Sequence, residues 1–305
     1  MMNETTFLNK KITTDGSRRA FVEMRDLETL WFNTGTLCNL KCSGCYIESS
    51  PINDHLEYIK FYDVKKYINQ IISYNYKTKV IGFTGGEPFM NPDIIEILNY
   101  ALKHKFNVLV LSNGLRPIEI KFKDLLNLPF KENLIIRISI DHYKKENHEK
   151  IRGSNTWEKL LKNIQWLYKQ NFIVNIASRL EENDSEEKIR AGFQKLFNDL
   201  KIKFNTYDRN KLILFPHINS KKNTLEITEN CWKILKKKPQ DLMCSSSRMV
   251  VKKKSDLNTK ILACTLVTKH KDFELGKNLK SADKKVYLNH PFCSQFCVLG
   301  NSSCS

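Results

Sequence analysis

The order of apolar segments in this chain predicts an α/β fold with a parallel sheet. Three observations carry that reading. Between residues 28 and 216, short runs rich in β-branched and aromatic residues alternate with longer segments of helical spacing, the sequence form of strands joined by crossover helices. The alternation repeats six times, short of the eight units of a closed barrel, so the expected architecture is a partial (β/α)6 TIM-like barrel. After residue 243 the pattern gives way to a β-hairpin and five cysteines, which reads as a small Cys-rich C-terminal extension.

Residues 1–27 read as a polar extension holding one short strand, AFVEM. LETLWFNTG is the first barrel strand. FYDVKKYINQIISYN follows as a helix, with Val64, Ile68, Ile71 and Ile72 at helical spacing. KVIGFTGG is a buried strand ending in glycines, and PDIIEILNYALKH a helix that Asn91 can cap with Pro92 at its first position. FNVLVLSNG, NLIIRISID, FIVNIAS and KLILFP are the remaining strands. IKFKDLLNL, TWEKLLKNIQWLYKQ and SEEKIRAGFQKLFNDL are the helices between them. A connector is expected over 216–243. SRMVVKKKSDLNTKILACT reads as a hairpin turning at SDLN. The resulting division is 1–27, 28–215, 216–243 and 244–305.

The 305 residues are 41% hydrophobic and 10% aromatic, enough for a sizeable core. The formal net charge is +17, which favours acidic partners. The lysines are scattered in short runs, and no arginine-rich arm or nucleic-acid motif is present, so nucleic acid is a minor alternative as substrate. The N-terminus lacks an apolar signal core, and no apolar run approaches the roughly 18 residues of a membrane span. The expectation is a cytoplasmic protein with no membrane role. Structural disulfides are rare there, so nine cysteines point to metal or redox chemistry. Cys231, in the helical pattern ENCWKILKK, reads as an inert core thiol.

Three cysteines fall within TGTLCNLKCSGCYIESS: Cys38, Cys42 and Cys45, spaced C-x3-C-x2-C. They follow the first strand, at the carboxyl end of the sheet, where ligand sites of parallel α/β folds gather. Thiolates suit iron–sulfur clusters or zinc. A closed zinc site wants a fourth ligand, for which His55 is the near candidate. A [4Fe–4S] cluster held by three thiolates keeps one iron open.

Further motifs follow in order. GFTGGEP ends the second strand, SNG the third, and SIDHYKKENHEKIRG the fourth. Together with the cysteine spacing they resemble the radical SAM superfamily. The resemblance implies that S-adenosylmethionine chelates the open iron through its amino and carboxylate groups. Reductive cleavage then gives a 5′-deoxyadenosyl radical that abstracts hydrogen from substrate. It implies that Gly85, Gly86, Glu87 and Pro88 hold the amino group, with Asn113 beside them. Ser139 and Asp141 would reach the ribose, and Arg152 the methionine carboxylate or the substrate. Asn175 or Arg179 of the fifth strand could join the adenine contact. The sequence departs from the family before the third cysteine, where Gly44 replaces the usual aromatic or His. Tyr46 is the candidate substitute. The general acid or base on the substrate side is not assigned.

In the tail, Cys244 and Cys264 bracket the hairpin, and Cys293, Cys297 and Cys304 follow. This resembles the auxiliary-cluster extension called twitch, or its longer form SPASM, and implies a second [4Fe–4S] cluster. Its expected ligands are Cys244, Cys264, Cys293 and Cys297, with Cys304 able to replace any of them; structural zinc is the alternative. Such tails imply a peptide or protein substrate first, and a small molecule, nucleotide or tRNA second. An electron donor of flavodoxin or ferredoxin type would be needed. An iron–sulfur or zinc protein without activity is the non-enzyme reading.

Overall fold

The computed structural model describes residues 6–181, 184–216, 218 and 224–303. In chain order the elements are β1 Phe21–Val22, β2 Thr29–Asn33, α1 Phe61–Ser73, β3 Val80–Thr84, α2 Ile94–Lys103 and β4 Asn107–Ser112. Next come α3 Arg116–Ile120, α4 Phe122–Leu126, β5 Leu134–Ser139, α5 Lys145–Arg152, α6 Trp157–Lys169 and β6 Ile173–Leu180. The chain continues through α7 Glu186–Asp199, β7 Leu212–Pro216, α8 Cys231–Ile234, β8 Ser247–Val251, β9 Lys260–Leu262, β10 Glu274–Gly276 and β11 Val286–Tyr287. A π-helical turn, Cys293–Val298, closes the described tail.

Strands β2 to β7 lie side by side in chain order and pair in parallel. Their residues alternate between two faces. Leu30, Phe32, Ile81, Phe83, Val108, Val110, Ile136 and Ile138 point one way and are wholly buried. They share an apolar core with Val64, Ile68 and Ile71 of α1 and with Leu160 and Ile164 of α6. The opposite face bends around an interior: one cavity is lined by Thr29, Val80, Leu109, Arg137, Asn175 and Ile213, a residue from each of the six strands. That curvature makes the sheet a partial barrel.

The tail hairpin joins the same sheet. Strand β8 pairs in parallel with β2, Thr29 opposite Ser247 and Trp31 opposite Met249. β9 pairs antiparallel with β8, and the sheet order is β10-β9-β8-β2-β3-β4-β5-β6-β7. The expected N-terminal strand is β1, paired antiparallel with β11, so the N-terminal extension is stitched to the tail.

One local expectation is corrected, and two short helices are added. Asn91 does not cap α2 directly: Asp93 is at its N-cap. Asn91 instead donates to Ile59 O at 2.8 Å and accepts from Asp93 N at 2.9 Å, fastening the loop below the helix. IKFKDLLNL forms α4, and a separate short helix, α3, precedes it across a break at Lys121. KENHEKIR forms α5, whose single buried residue, His148, gives too little apolar pattern to announce a helix. The connector falls partly, and Cys304 wholly, outside the described residues.

Candidate functional site

Loops leaving the carboxyl ends of the barrel strands build one cavity. Cys38, Cys42, Cys45 and Tyr46 reach it from the loop after β2, and Gly85 and Gly86 from the end of β3. Asn113 follows β4, Ser139 and Asp141 lie at and beyond the end of β5, and Arg152 ends α5. Arg179 of β6 and Phe215 of β7 complete the wall. Seven of the nine residues expected to hold S-adenosylmethionine thus meet the three thiols at one place. Glu87 and Pro88 lie beneath the wall and are buried.

The cysteine loop is seated by backbone bonds. Thr34 N donates to Thr84 O, Gly86 N to Gly35 O at 2.8 Å and Glu87 N to Leu37 O at 3.2 Å. A Cβ on Gly86 would stand 2.1 Å from Leu37 O, so only glycine lets β3 hold the loop this closely. On the far side, Ser43 N donates to Ile151 O of α5 at 3.0 Å. Gly44 has φ +69°, and the Arg179 guanidinium lies 2.9 Å from where its Cβ would be. The missing aromatic before Cys45 is thus explained locally: the position needs left-handed backbone and is covered by an arginine.

Glu87 accepts from Phe89 N at 3.1 Å, Ser112 Oγ at 2.9 Å and Asn113 N at 2.8 Å. It clamps the ends of β3 and β4 together. Burial pushes its carboxyl up to about 7, against the pull of those hydrogen bonds. Asp141 accepts from Arg152 Nε at 2.5 Å and Arg179 Nε at 3.0 Å. Burial opposes its ionisation, but the Arg152 and Arg179 guanidiniums outweigh it and hold the carboxyl below the usual range. Asp141 therefore fixes two cations at the cavity wall. Tyr46 lines the cavity but sets its ring edge-on to Phe292 and Phe296, centroids 6.0 and 6.4 Å away. Asn175 does not reach this cavity; it lines the barrel interior below.

A second cavity lies in the tail. Cys244, Cys264, Cys293 and Cys297 all line it, among Leu266, Phe273 and Phe292. Arg248, buried and donating to Cys244 O at 2.6 Å, lies beside it. His55, by contrast, joins neither cavity.

Burial raises five of these thiols above the ordinary thiol value. Burial pushes Cys38 up to about 12 and raises Cys42. In the tail, burial pushes Cys244 up to about 12, raises Cys264 and drives Cys293 well above the usual thiol value. Buried neutral thiols give up their protons when a metal binds. Amide donors already face several sulfurs: Leu40 N to Cys38 at 3.4 Å, Ser49 N to Cys45 at 3.4 Å and Leu266 N to Cys264 at 3.3 Å. Such bonds stabilise cluster thiolates and tune their potential. Among the described residues no three Cys, His, Asp or Glu side chains are grouped as a single metal ion would need. By their chemistry the three thiols of the first loop fit a [4Fe–4S] cluster with one iron left open, and the four thiols of the tail fit either a cluster or zinc.

The family model of the Radical SAM superfamily matches residues 32–191, more than half of the 305. The chain belongs to the radical SAM superfamily. That family implies a [4Fe–4S] cluster and S-adenosylmethionine. The antilisterial bacteriocin subtilosin biosynthesis protein AlbA of Bacillus subtilis is 34% identical over 170 residues, 53% of this chain and 36% of AlbA. The AdoMet-dependent heme synthase of Methanosarcina barkeri is 29% identical over 157 residues, 49% of this chain and 42% of that protein. The chain thus spans well under half the length of these two relatives. Among solved structures, Streptococcus suis SuiB bound to precursor peptide SuiA shares the fold at TM-score 0.57 and 13% identity, over 86% of this chain and 66% of SuiB. No helix among the described residues is long and apolar enough to cross a membrane.

Proposed function

We propose that this radical SAM enzyme modifies a peptide or protein by hydrogen abstraction from a side chain or α carbon. One observation carries the reading: the three thiols of the first loop and the motif residues after β3, β4 and β5 ring a single cavity at the carboxyl end of the barrel. Bound together there, the cluster and S-adenosylmethionine supply a radical able to attack an unactivated C–H bond. Cys38, Cys42 and Cys45 would hold the cluster. Gly85, Gly86 and Asn113 would present backbone and amide groups to the methionine end, and Ser139 the ribose contact. Arg152 and Arg179, fixed by Asp141, would face the methionine carboxylate. Tyr46, packed against Phe292 and Phe296, would offer the adenine contact. Glu87 and Pro88 act from below, as supports.

A second, auxiliary [4Fe–4S] cluster is proposed at Cys244, Cys264, Cys293 and Cys297, in a twitch-like tail spanning 244–305. The convergence of four thiols in one apolar cavity supports it. The barrel unit is taken as 28–215. The net charge of +17 suits an acidic electron donor of flavodoxin or ferredoxin type, and the free thiols suit the cytoplasm. A peptide is favoured by AlbA, named for a bacteriocin, and by SuiB, which is bound to a precursor peptide. The heme synthase likeness favours a small molecule as the second reading.

The test is iron and sulfide per chain after anaerobic reconstitution, with reductive S-adenosylmethionine cleavage measured alongside. About eight irons are expected, falling to about four, with cleavage lost, when Cys38, Cys42 and Cys45 are replaced by Ala. Cleavage that survives Cys38→Ala would sink the assignment, and zinc in place of iron would sink the radical reading.

A further inference from the structure

Strand β8 is buried along its whole length, and its second residue is an arginine. Arg248 is only 1% exposed. Its guanidinium donates to four main-chain oxygens: Cys244 O at 2.6 Å, Ser247 O at 2.7 Å, Ala282 O at 3.0 Å and Lys284 O at 3.4 Å. These bonds fix the group in place, but a carbonyl carries no net charge to balance it. Other buried arginines are balanced by a carboxylate, Arg19 by Glu226 and Arg190 by Glu186. For Arg248, burial works against the charge. The groups that favour it are the Cys244 thiol, when ionised, and after it the Asp283 carboxylate, which acts through space. A buried cation without a counter-ion is costly. The adjoining cavity can supply one, since Cys244 lines it together with Cys264, Cys293 and Cys297.

We propose that Arg248 is a fixed counter-ion for the thiolates of the tail cavity and raises the reduction potential of the cluster held there. The inference rests on the auxiliary-cluster reading. A cluster held by four thiolates is anionic, and more so once it has gained an electron. A cation fixed beside it stabilises the reduced state more than the oxidised one, so the potential rises. Leu266, Phe273 and Phe292 line the same cavity, and charges buried among apolar groups are little screened by salt. Arginine suits the place because it keeps its charge when buried. It acts through Cys244, whose main-chain oxygen holds the guanidinium, and so is a positioning residue rather than a catalytic one.

A redox titration of the anaerobically reconstituted full chain, followed by electron paramagnetic resonance, tests it. Cys38, Cys42 and Cys45 are replaced by Ala, so that the tail gives the one cluster signal. At the midpoint potential of that protein, Arg248→Met should lower the ratio of reduced to oxidised cluster roughly tenfold, a shift of about 59 mV to more negative values for one electron. Iron should stay at about four per chain. Arg248→Lys, which keeps a cation, should hold the midpoint near its starting value. Arg248→Gln, whose amide can still donate to the carbonyls, should shift it as Met does, and it carries the test if Arg248→Met does not fold. A midpoint unchanged in the neutral variants, or moved as far by Lys as by Met, would overturn the inference and leave the auxiliary cluster standing. Zinc, or no metal, in the tail before Arg248 is changed would overturn the cluster reading and the inference with it.

Discussion

Glu87, expected from its motif at the cavity, is buried next to the cavity wall and bonded to the strand ends. Its three hydrogen bonds tie the ends of β3 and β4, and its carboxyl is pushed up to about 7 by burial. The ordinary value is 4.5, so folding favours the neutral form. Stability from this group is therefore full below about pH 4.5 and is lost as the pH rises through about 7, by at most about 3 kcal/mol. Replacing Glu87 with Gln should remove that dependence. Urea unfolding of both proteins at pH 4.5 and pH 8 checks it: the difference should move in favour of Gln at the higher pH, and an unchanged difference would refute the burial argument. Asp141 runs the other way. Its guanidinium partners hold it ionised, so its contribution is present above its ordinary value of 3.8 and fades only as the pH falls further.

At the scale of elements, the cysteine loop depends on the strand beside it. Gly86 lets β3 approach the backbone of Leu37 and Thr36, next to Cys38. Gly86→Ala would drive a Cβ into backbone that cannot swing aside. The expected result is loss of about four irons per chain, with the far-ultraviolet dichroism of the sheet and helices unchanged; full iron content would refute it. In the tail, the π-helical turn from Cys293 to Val298 brings Cys293 and Cys297 to one cavity, with Leu299 N bonded to Ser294 O at 2.8 Å. Widened turns of this kind cluster at functional sites.

At the scale of the molecule, the tail and the barrel are one sheet. Strand β8 covers the β2 edge. The segment after the cysteine loop is bound to the tail as well, by Glu57 N to Lys252 O at 2.8 Å and Lys254 N to His55 O at 3.0 Å. Tyr46 packs on Phe292 and Phe296 across the same junction. Ending the chain at Asp241 would expose β2 as an unpaired edge, and such edges aggregate. The shortened protein is expected to be insoluble or to scatter light heavily. A soluble, cooperatively folding monomer would mean that the tail is a separable domain.

The sequence by itself determined the six strands and most of their helices, the cysteine loop and the order of the motifs. These are local matters, since strand and helix periodicity and ligand spacing are written within short windows. It did not announce α5, whose residues are nearly all polar, nor the break between α3 and α4. Only the tertiary structure decided that β8 joins β2, that Glu87 turns beneath the cavity, and that four distant cysteines line one apolar space. Only it showed which face of the strands curves inward, placing Arg137 and Asn175 together and Asn175 away from the upper cavity. Alternation along a strand separates two faces, but the closure of the sheet chooses which becomes the interior, and closure is set by contacts between residues far apart in the chain.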